Sequence, residues 1–271
     1  MRGKAVARTR SREMDTTASY HVLLVLLSVE TFLFFAVIAQ TAVQEPLAHG
    51  KIARFFGLAF LSESVAGLAL AVTPLLRGSV FLLDLFALIA VVAIWAGAAV
   101  AIIGAAHVVF PEDARREVRV ALVVLFAFVF AFGTARLYVA VSAATPALPL
   151  WSTDSLRVSV AVSQGAMASV GAACVLRALA RPKIRGRNGA SVLLLGTLVC
   201  LVGSVIWTWL LGKCELSQTL DKEDVRCPLP PVFDHNALYC LFLIAGNILS
   251  AEGVLRLMAV GDGALNYAEI P

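Results

Sequence analysis

The chain has 271 residues, of which 60% are hydrophobic and 15% are charged, and its formal net charge is +4. Soluble domains carry roughly 45–50% apolar and about 25% charged residues, so this composition excludes an ordinary soluble protein and is typical of one embedded in a lipid bilayer. The basic residues flank apolar segments without interleaved aromatic residues, so we expect the bilayer, and not nucleic acid, as the partner.

The chain starts with a basic tail. Residues 1–19 contain five Arg or Lys residues before the first acid, Glu13. Such a start is typical of mitochondrial presequences and also of the basic flank of a first membrane helix. We expect a flank, and therefore location in the plasma membrane or an endomembrane in preference to the mitochondrial inner membrane.

Seven apolar segments follow, each long enough to cross the ~30 Å hydrocarbon layer, which takes about 20 helical residues. They cover residues 20–42, 55–76, 80–110, 118–141, 156–180, 190–211 and 236–258. Backbone amides have no partner in lipid, and no alternating barrel pattern is present, so all seven segments are predicted helices. The predicted fold is all-α, a bundle of seven transmembrane helices over residues 20–258, with tails at 1–19 and 259–271.

The polar loop at residues 213–234 contains two cysteines. Basic residues in the loops after the first, third and fifth spans predict that these loops face the cytosol and that loop 213–234 faces outside, whereas the basic tail argues for the reverse. An oxidising compartment would permit a disulfide between Cys214 and Cys227. The other three cysteines lie in apolar segments and are expected to behave as small hydrophobic residues.

An ionisable side chain inside a span is costly unless it is paired or hydrated, so each one marks a candidate site. Candidates within the predicted spans include Glu30, Glu63, Asp84, Arg136 and Glu252. Because alternate span ends share a membrane side, Asp84 and Arg136 are predicted to form a structural ion pair. Glu30, Glu63, Glu252 and Asn247 form the candidate polar path of a transporter or channel.

The last span carries a polar stripe. Asn236, Cys240 and Asn247 recur at spacings of four and seven residues, which place them on one helical face. Polar faces of this kind pack against protein and not against lipid. Asp234 is the predicted N-cap of this helix.

Two features of the sixth span predict its contacts. Gly196, Cys200 and Gly203 are small residues that favour close packing against another helix. Trp207 and Trp209 stand near the end of the span, where tryptophan commonly anchors a helix at the membrane interface.

The run Asn236-Ala237-Leu238-Tyr239-Cys240, which follows Phe233-Asp234-His235, resembles the final-helix His-x-x-x-His motif of the CREST superfamily. That family of seven-helix membrane proteins includes the alkaline ceramidases and the progestin and adipoQ receptors, and its motif supplies two zinc ligands of a hydrolase site. The resemblance implies a zinc site at His235, Cys240 and Asp84.

The two positions of that motif hold Asn236 and Cys240 in this chain. A catalytic zinc needs three protein ligands and an open position for water. The incomplete motif favours a non-enzymatic membrane protein without a cofactor, acting as a receptor, a scaffold or a subunit among other membrane subunits. A zinc-dependent hydrolase of lipid amides or esters and a small transporter or channel are the alternatives.

Overall fold

A computed structural model of the chain describes residues 18–44, 49–76, 80–109, 153–180, 187–219, 228–229 and 233–259. The helices in these ranges are α1 (Ala18–Gln44), α2 (His49–Ala71), α3 (Val80–Val109), α4 (Thr153–Ala180), α5 (Arg187–Thr219) and α6 (His235–Ala259), with a 3₁₀ turn at Thr73–Leu76. No strand occurs within these ranges. The prediction of an all-helical fold is confirmed for this part of the chain.

Five of these helices are long and apolar enough to cross a membrane. The stretches that meet this requirement are Ser19–Thr41, Ile52–Ala71, Leu88–His107, Asn188–Leu210 and His235–Met258. On α4 the corresponding stretch, Ser163–Leu176, is shorter. The predicted fourth span at residues 118–141 lies outside the described residues, and so does Arg136.

The C-terminal ends of α2 and α5 differ from the predicted span ends. Helix α2 ends at Ala71 and passes into the 3₁₀ turn, because Pro74 has no backbone N–H with which to continue the α-helical ladder. Helix α5 continues to Thr219, so Cys214 lies on a helix and not in a loop. No proline interrupts residues 212–219. The side chains of Cys214 and Cys227 lie outside the described residues, and their disulfide stays a prediction.

The six helices of the described ranges form a ring. Each packs against the next in chain order, and α6 packs against α1 to close the ring. Helices α1 and α2 are antiparallel, since Gly57 lies against Ile38 while Gly67 lies against Ser28. The last helix runs parallel to the first, because Tyr20 neighbours Cys240 and Leu27 packs with Leu243 further along both helices.

The outer surface of the ring is apolar. Large hydrophobic side chains are exposed along α1, including Val22, Leu26, Val29, Leu33 and Val37, and along α5 and α6. Soluble proteins rarely expose contiguous apolar patches of this extent. The exposed surface is the one that lipid would cover, and it has the character of a membrane-embedded protein.

Helices α5 and α6 approach each other closely through glycines. A Cβ atom added to Gly246 would lie 2.8 Å from the carbonyl oxygen of Gly196, and one added to Gly196 would lie 2.6 Å from the carbonyl oxygen of Gly246. Gly203 lies against Phe242 in the same interface. The predicted close packing of this span through Gly196, Cys200 and Gly203 is confirmed, and its partner is the last helix.

Candidate functional site

A central cavity of about 140 Å³ is lined by residues from all six described helices. Most of the lining surface is apolar. The polar or aromatic side chains within it are Tyr20, Phe56, Phe60, Glu63, Ser163, Gln164, Thr197, Cys200, Trp207, Asn236, Tyr239, Cys240, Asn247 and Ser250. A dry engineered cavity of about 150 Å³ binds benzene, so the space is sufficient for a small organic group.

A hydrogen bond between two helices crosses this cavity near the middle of the bundle. Nδ2 of Asn247 on α6 donates to Oε1 of Glu63 on α2 at 2.9 Å. Both residues lie near the midpoints of their apolar stretches, Ile52–Ala71 and His235–Met258. An ionisable side chain at this depth is usually paired or faces the bundle interior, and Glu63 satisfies both conditions.

A second carboxyl group lies beside the first. Both carboxyl oxygens of Glu30 on α1 are buried and have no hydrogen-bond partner within the described residues. Glu30 is within electrostatic reach of Glu63, and Cys200 is within reach of both. The structure therefore brings together Glu30, Glu63 and Asn247, three of the four residues of the predicted polar path.

The fourth residue of that path lies elsewhere. Glu252 is exposed on α6 and accepts a hydrogen bond of 2.7 Å from Nε of Arg256, one helical turn further along. Exposed i,i+4 pairs of this kind stabilise a helix by about 0.3–0.5 kcal/mol. Glu252 is thus engaged on the outside of the ring, and it does not line the cavity.

The end of the cavity near the start of α6 is built from an aromatic pair and an amide. The rings of Trp207 and Tyr239 stack with their centroids 5.3 Å apart. Nε1 of Trp207 donates a hydrogen bond of 2.9 Å to Oδ1 of Asn236. Asp234 caps α6, since its Oδ1 accepts a hydrogen bond of 2.8 Å from the backbone N–H of Ala237, which confirms the predicted N-cap.

The predicted role of Trp207 as an interfacial anchor is wrong. Its side chain is only 6% exposed, whereas that of Trp209 is 59% exposed. The two residues are two positions apart, so they project about 200° apart around the helix and face opposite surroundings. Trp209 lies on the exposed outer surface of the ring, and Trp207 contributes to the cavity wall.

The polar stripe predicted for the last span faces the cavity, which Asn236, Cys240 and Asn247 all line. The three residues implied as zinc ligands are described to different extents. Cys240 is buried with a free thiol, His235 is the first residue of α6, and the side chain of Asp84 lies outside the described residues. No group of three or more His, Cys, Asp or Glu side chains that could hold a metal ion occurs among the residues the structure describes.

The pairing of Glu63 with Asn247 could not be foreseen from the sequence. The two residues are 184 positions apart, and neither belongs to a recognisable motif. The one available signal was chemical, because an amide and a carboxyl at the same depth of two spans are each costly in lipid unless they find a partner. That signal identifies candidate partners but does not choose among Glu30, Glu63 and Asp84.

A ring of apolar helices around a partly polar cavity is the arrangement expected of a helical protein that is embedded in a membrane. No protein-family model, curated protein or solved structure matches the chain.

Proposed function

We propose that this chain is a seven-helix, non-enzymatic membrane protein of receptor type, which binds a small and mainly apolar molecule in its central cavity. The observation that carries the proposal is the cavity itself, which all six described helices line. Ligand sites are typically concave and mostly apolar, with a few convergent polar groups that orient the ligand. Glu63, Asn247, Asn236 and Tyr239 supply such groups here.

A count of seven helices is consistent with the directions of the described ones. Consecutive helices from α1 to α3 alternate in direction, as do those from α4 to α6, and α6 runs parallel to α1. It follows that α3 and α4 point the same way, so residues 110–152 connect opposite ends of the ring. The apolar segment 118–141 is long enough for that crossing.

Topology mapping tests the seven-helix count. Single cysteines at Glu112 and at Ser152, in a variant without the native cysteines, would be labelled in intact cells with a reagent that does not cross membranes. Seven helices place these two positions on opposite sides, so only one of them should react before the cells are permeabilised. Equal labelling of both would contradict the proposal.

Ligand binding is tested with bromobenzene, a benzene-sized quencher of tryptophan fluorescence. In a protein whose only tryptophan is Trp207, the quenching should saturate with concentration, because the cavity holds a limited number of molecules. In a protein whose only tryptophan is Trp209, the quenching should rise without saturation, since that ring faces lipid. Quenching that does not saturate in either protein would reject the cavity as a ligand site.

One observation favours a transporter as the second candidate. Glu30 and Glu63 carry two neighbouring carboxyl groups at mid-depth of the bundle, and Asn247 donates a hydrogen bond to Glu63. Ionisable groups at such a depth are found on ion pathways in membrane proteins. Purified protein in liposomes would be assayed for ion- or proton-coupled uptake of candidate solutes. Transport that is lost in Glu30→Gln would replace the receptor by the transporter.

The zinc hydrolase stays a prediction that comes from the resemblance of the last helix. Cys240 lines the cavity and is a competent zinc ligand as its thiolate. Stoichiometric zinc in the purified protein, lost in His235→Ala, would support it, and a protein without bound zinc would remove it.

A further inference from the structure

The charged side chains at mid-depth of the cavity are carboxylic acids. Its mid-depth wall contains Glu63, and Glu30, which is not itself a lining residue, lies within electrostatic reach of that carboxyl group. Arg256 pairs with Glu252 on the outside of the ring, and within the ranges the structure describes no Lys or Arg is paired with either of the central glutamates. A buried carboxyl group without a cation partner favours any cation that can reach it.

The hydrogen-bonding capacity of the two carboxyl groups is largely unused. Asn247 occupies Oε1 of Glu63, which leaves the other oxygen free to accept. Both oxygens of Glu30 are buried and without a hydrogen-bond partner in the described part of the chain. Buried polar atoms are normally satisfied by protein, water or ligand, so these acceptors point to a group with several donors.

The rest of the cavity fits the body of an organic molecule. Its lining is mainly aliphatic and aromatic, with the stacked rings of Trp207 and Tyr239 towards the start of α6. Aromatic rings attract ammonium groups as well as hydrocarbon, by about 0.5–2 kcal/mol for a cation over the ring face. An apolar wall around an acidic centre selects a molecule that combines an apolar body with a positive head.

We propose that the ligand of this cavity is a small lipophilic amine whose ammonium group binds between Glu30 and Glu63. The inference rests on the proposed function, because it names the chemical class of the molecule that the cavity takes up. An ammonium group has three donors, which suit the free oxygen of Glu63 and the two oxygens of Glu30. Asn247 then acts as the residue that positions Glu63.

The test compares ligands of equal size that differ in charge. Benzylammonium and benzyl alcohol would each be used to displace bromobenzene from the protein whose only tryptophan is Trp207, with recovery of fluorescence as the measure. We expect benzylammonium to displace bromobenzene at a concentration at least tenfold lower than benzyl alcohol. Equal or weaker displacement by the amine would overturn the proposal while leaving the cavity as a ligand site.

Variants assign the preference to the carboxyl groups. Glu63→Gln keeps an oxygen that can accept from Asn247, so the variant should fold and should lose the tenfold preference for the amine over benzyl alcohol. Glu252→Gln, on the exposed face of the same bundle, is the matched control and should keep it. An amine preference that survives both Glu63→Gln and Glu30→Gln would contradict the assignment.

The same assay separates the two levels of the proposal. If bromobenzene gives no saturable quenching in the unaltered cavity, the proposed function fails before the amine is tested. If it saturates but benzylammonium is not preferred over benzyl alcohol, even in a buffer whose cation is bulky and organic, the amine is rejected and the cavity stays a ligand site.

Discussion

The side-chain amide of Asn247 and the carboxyl group of Glu63 join the last helix to the second across the middle of the bundle, at a distance of 2.9 Å. These helices are not neighbours in the ring, and they contact each other far less than either contacts its flanking helices. The hydrogen bond therefore links two helices across the interior of the bundle. It holds the carboxyl group of Glu63 at the position where a ligand would lie.

A double-mutant cycle measures the coupling free energy between Glu63 and Asn247. Glu63→Leu, Asn247→Leu and the double variant would be unfolded from mixed micelles, with helical circular dichroism as the readout. Interhelical hydrogen bonds in membrane proteins contribute about 0.6–1.7 kcal/mol, and we expect a coupling free energy in this range. The control cycle pairs Glu63→Leu with Ile248→Ala, whose exposed side chain has no role in the bond, and its effects should add within about 0.5 kcal/mol. Additive effects in the first cycle would show that the bond does not form.

The glycine contact between α5 and α6 predicts a sharp difference between two Gly→Ala substitutions. In Gly246→Ala the new methyl group would lie 2.8 Å from the carbonyl oxygen of Gly196 and would press on Cys200. Overpacking of this kind costs about 1–3 kcal/mol, measured as a lower free energy of unfolding. Gly165→Ala is the control, because an added Cβ there meets no atom within 4 Å. Equal stability of the two variants would mean that α5 and α6 are further apart than described.

The two tryptophans of α5 should respond differently to lipid. Trp209 is 59% exposed and Trp207 is 6% exposed. In bilayers of lipids with brominated acyl chains, a protein with Trp209 as its only tryptophan should lose most of its fluorescence, and one with only Trp207 should keep most of it. Strong quenching of Trp207 by the brominated chains would contradict its placement in the cavity wall.

The cap of the last helix provides a fourth measurement. Asp234→Ala removes the acceptor for the N–H of Ala237 and should destabilise the protein by about 0.5–2 kcal/mol. Asp234→Asn retains a capping oxygen and should recover most of that loss in a thermal unfolding experiment. If the asparagine variant is as unstable as the alanine variant, the aspartate acts through its charge and not as a cap.

The sequence predicted the helical character of the described ranges because lipid-spanning helices are specified by composition and length, which are local properties. It also predicted the small-residue face of α5 and the cap at Asp234, since Gly196 and Asp234 act on residues close by in space or in the chain. A small-residue face and a capping residue can both be recognised in the sequence before it is known which helix packs against which.

The parts that could not be predicted depend on how the helices are arranged around the ring. Trp207 and Trp209 have the same chemistry and similar depth, and only the rotation of α5 decides which one meets Asn236. Likewise, Glu30 and Glu252 were equivalent as buried acids in the sequence, yet one lies inside the bundle and the other pairs with Arg256 outside. Rotation and neighbour choice are set by the sum of many packing contacts, which no short pattern encodes.

The backbone contact of Gly196 with Gly246 also bears on how a molecule enters the cavity. At this point each glycine lies against the backbone carbonyl group of the other helix, so no side chain separates α5 from α6 there and no molecule can pass between them. Helices α5 and α6 would therefore move together as one rigid unit. A molecule that enters from the lipid must then pass between another pair of neighbouring helices, where side chains and not backbone fill the gap.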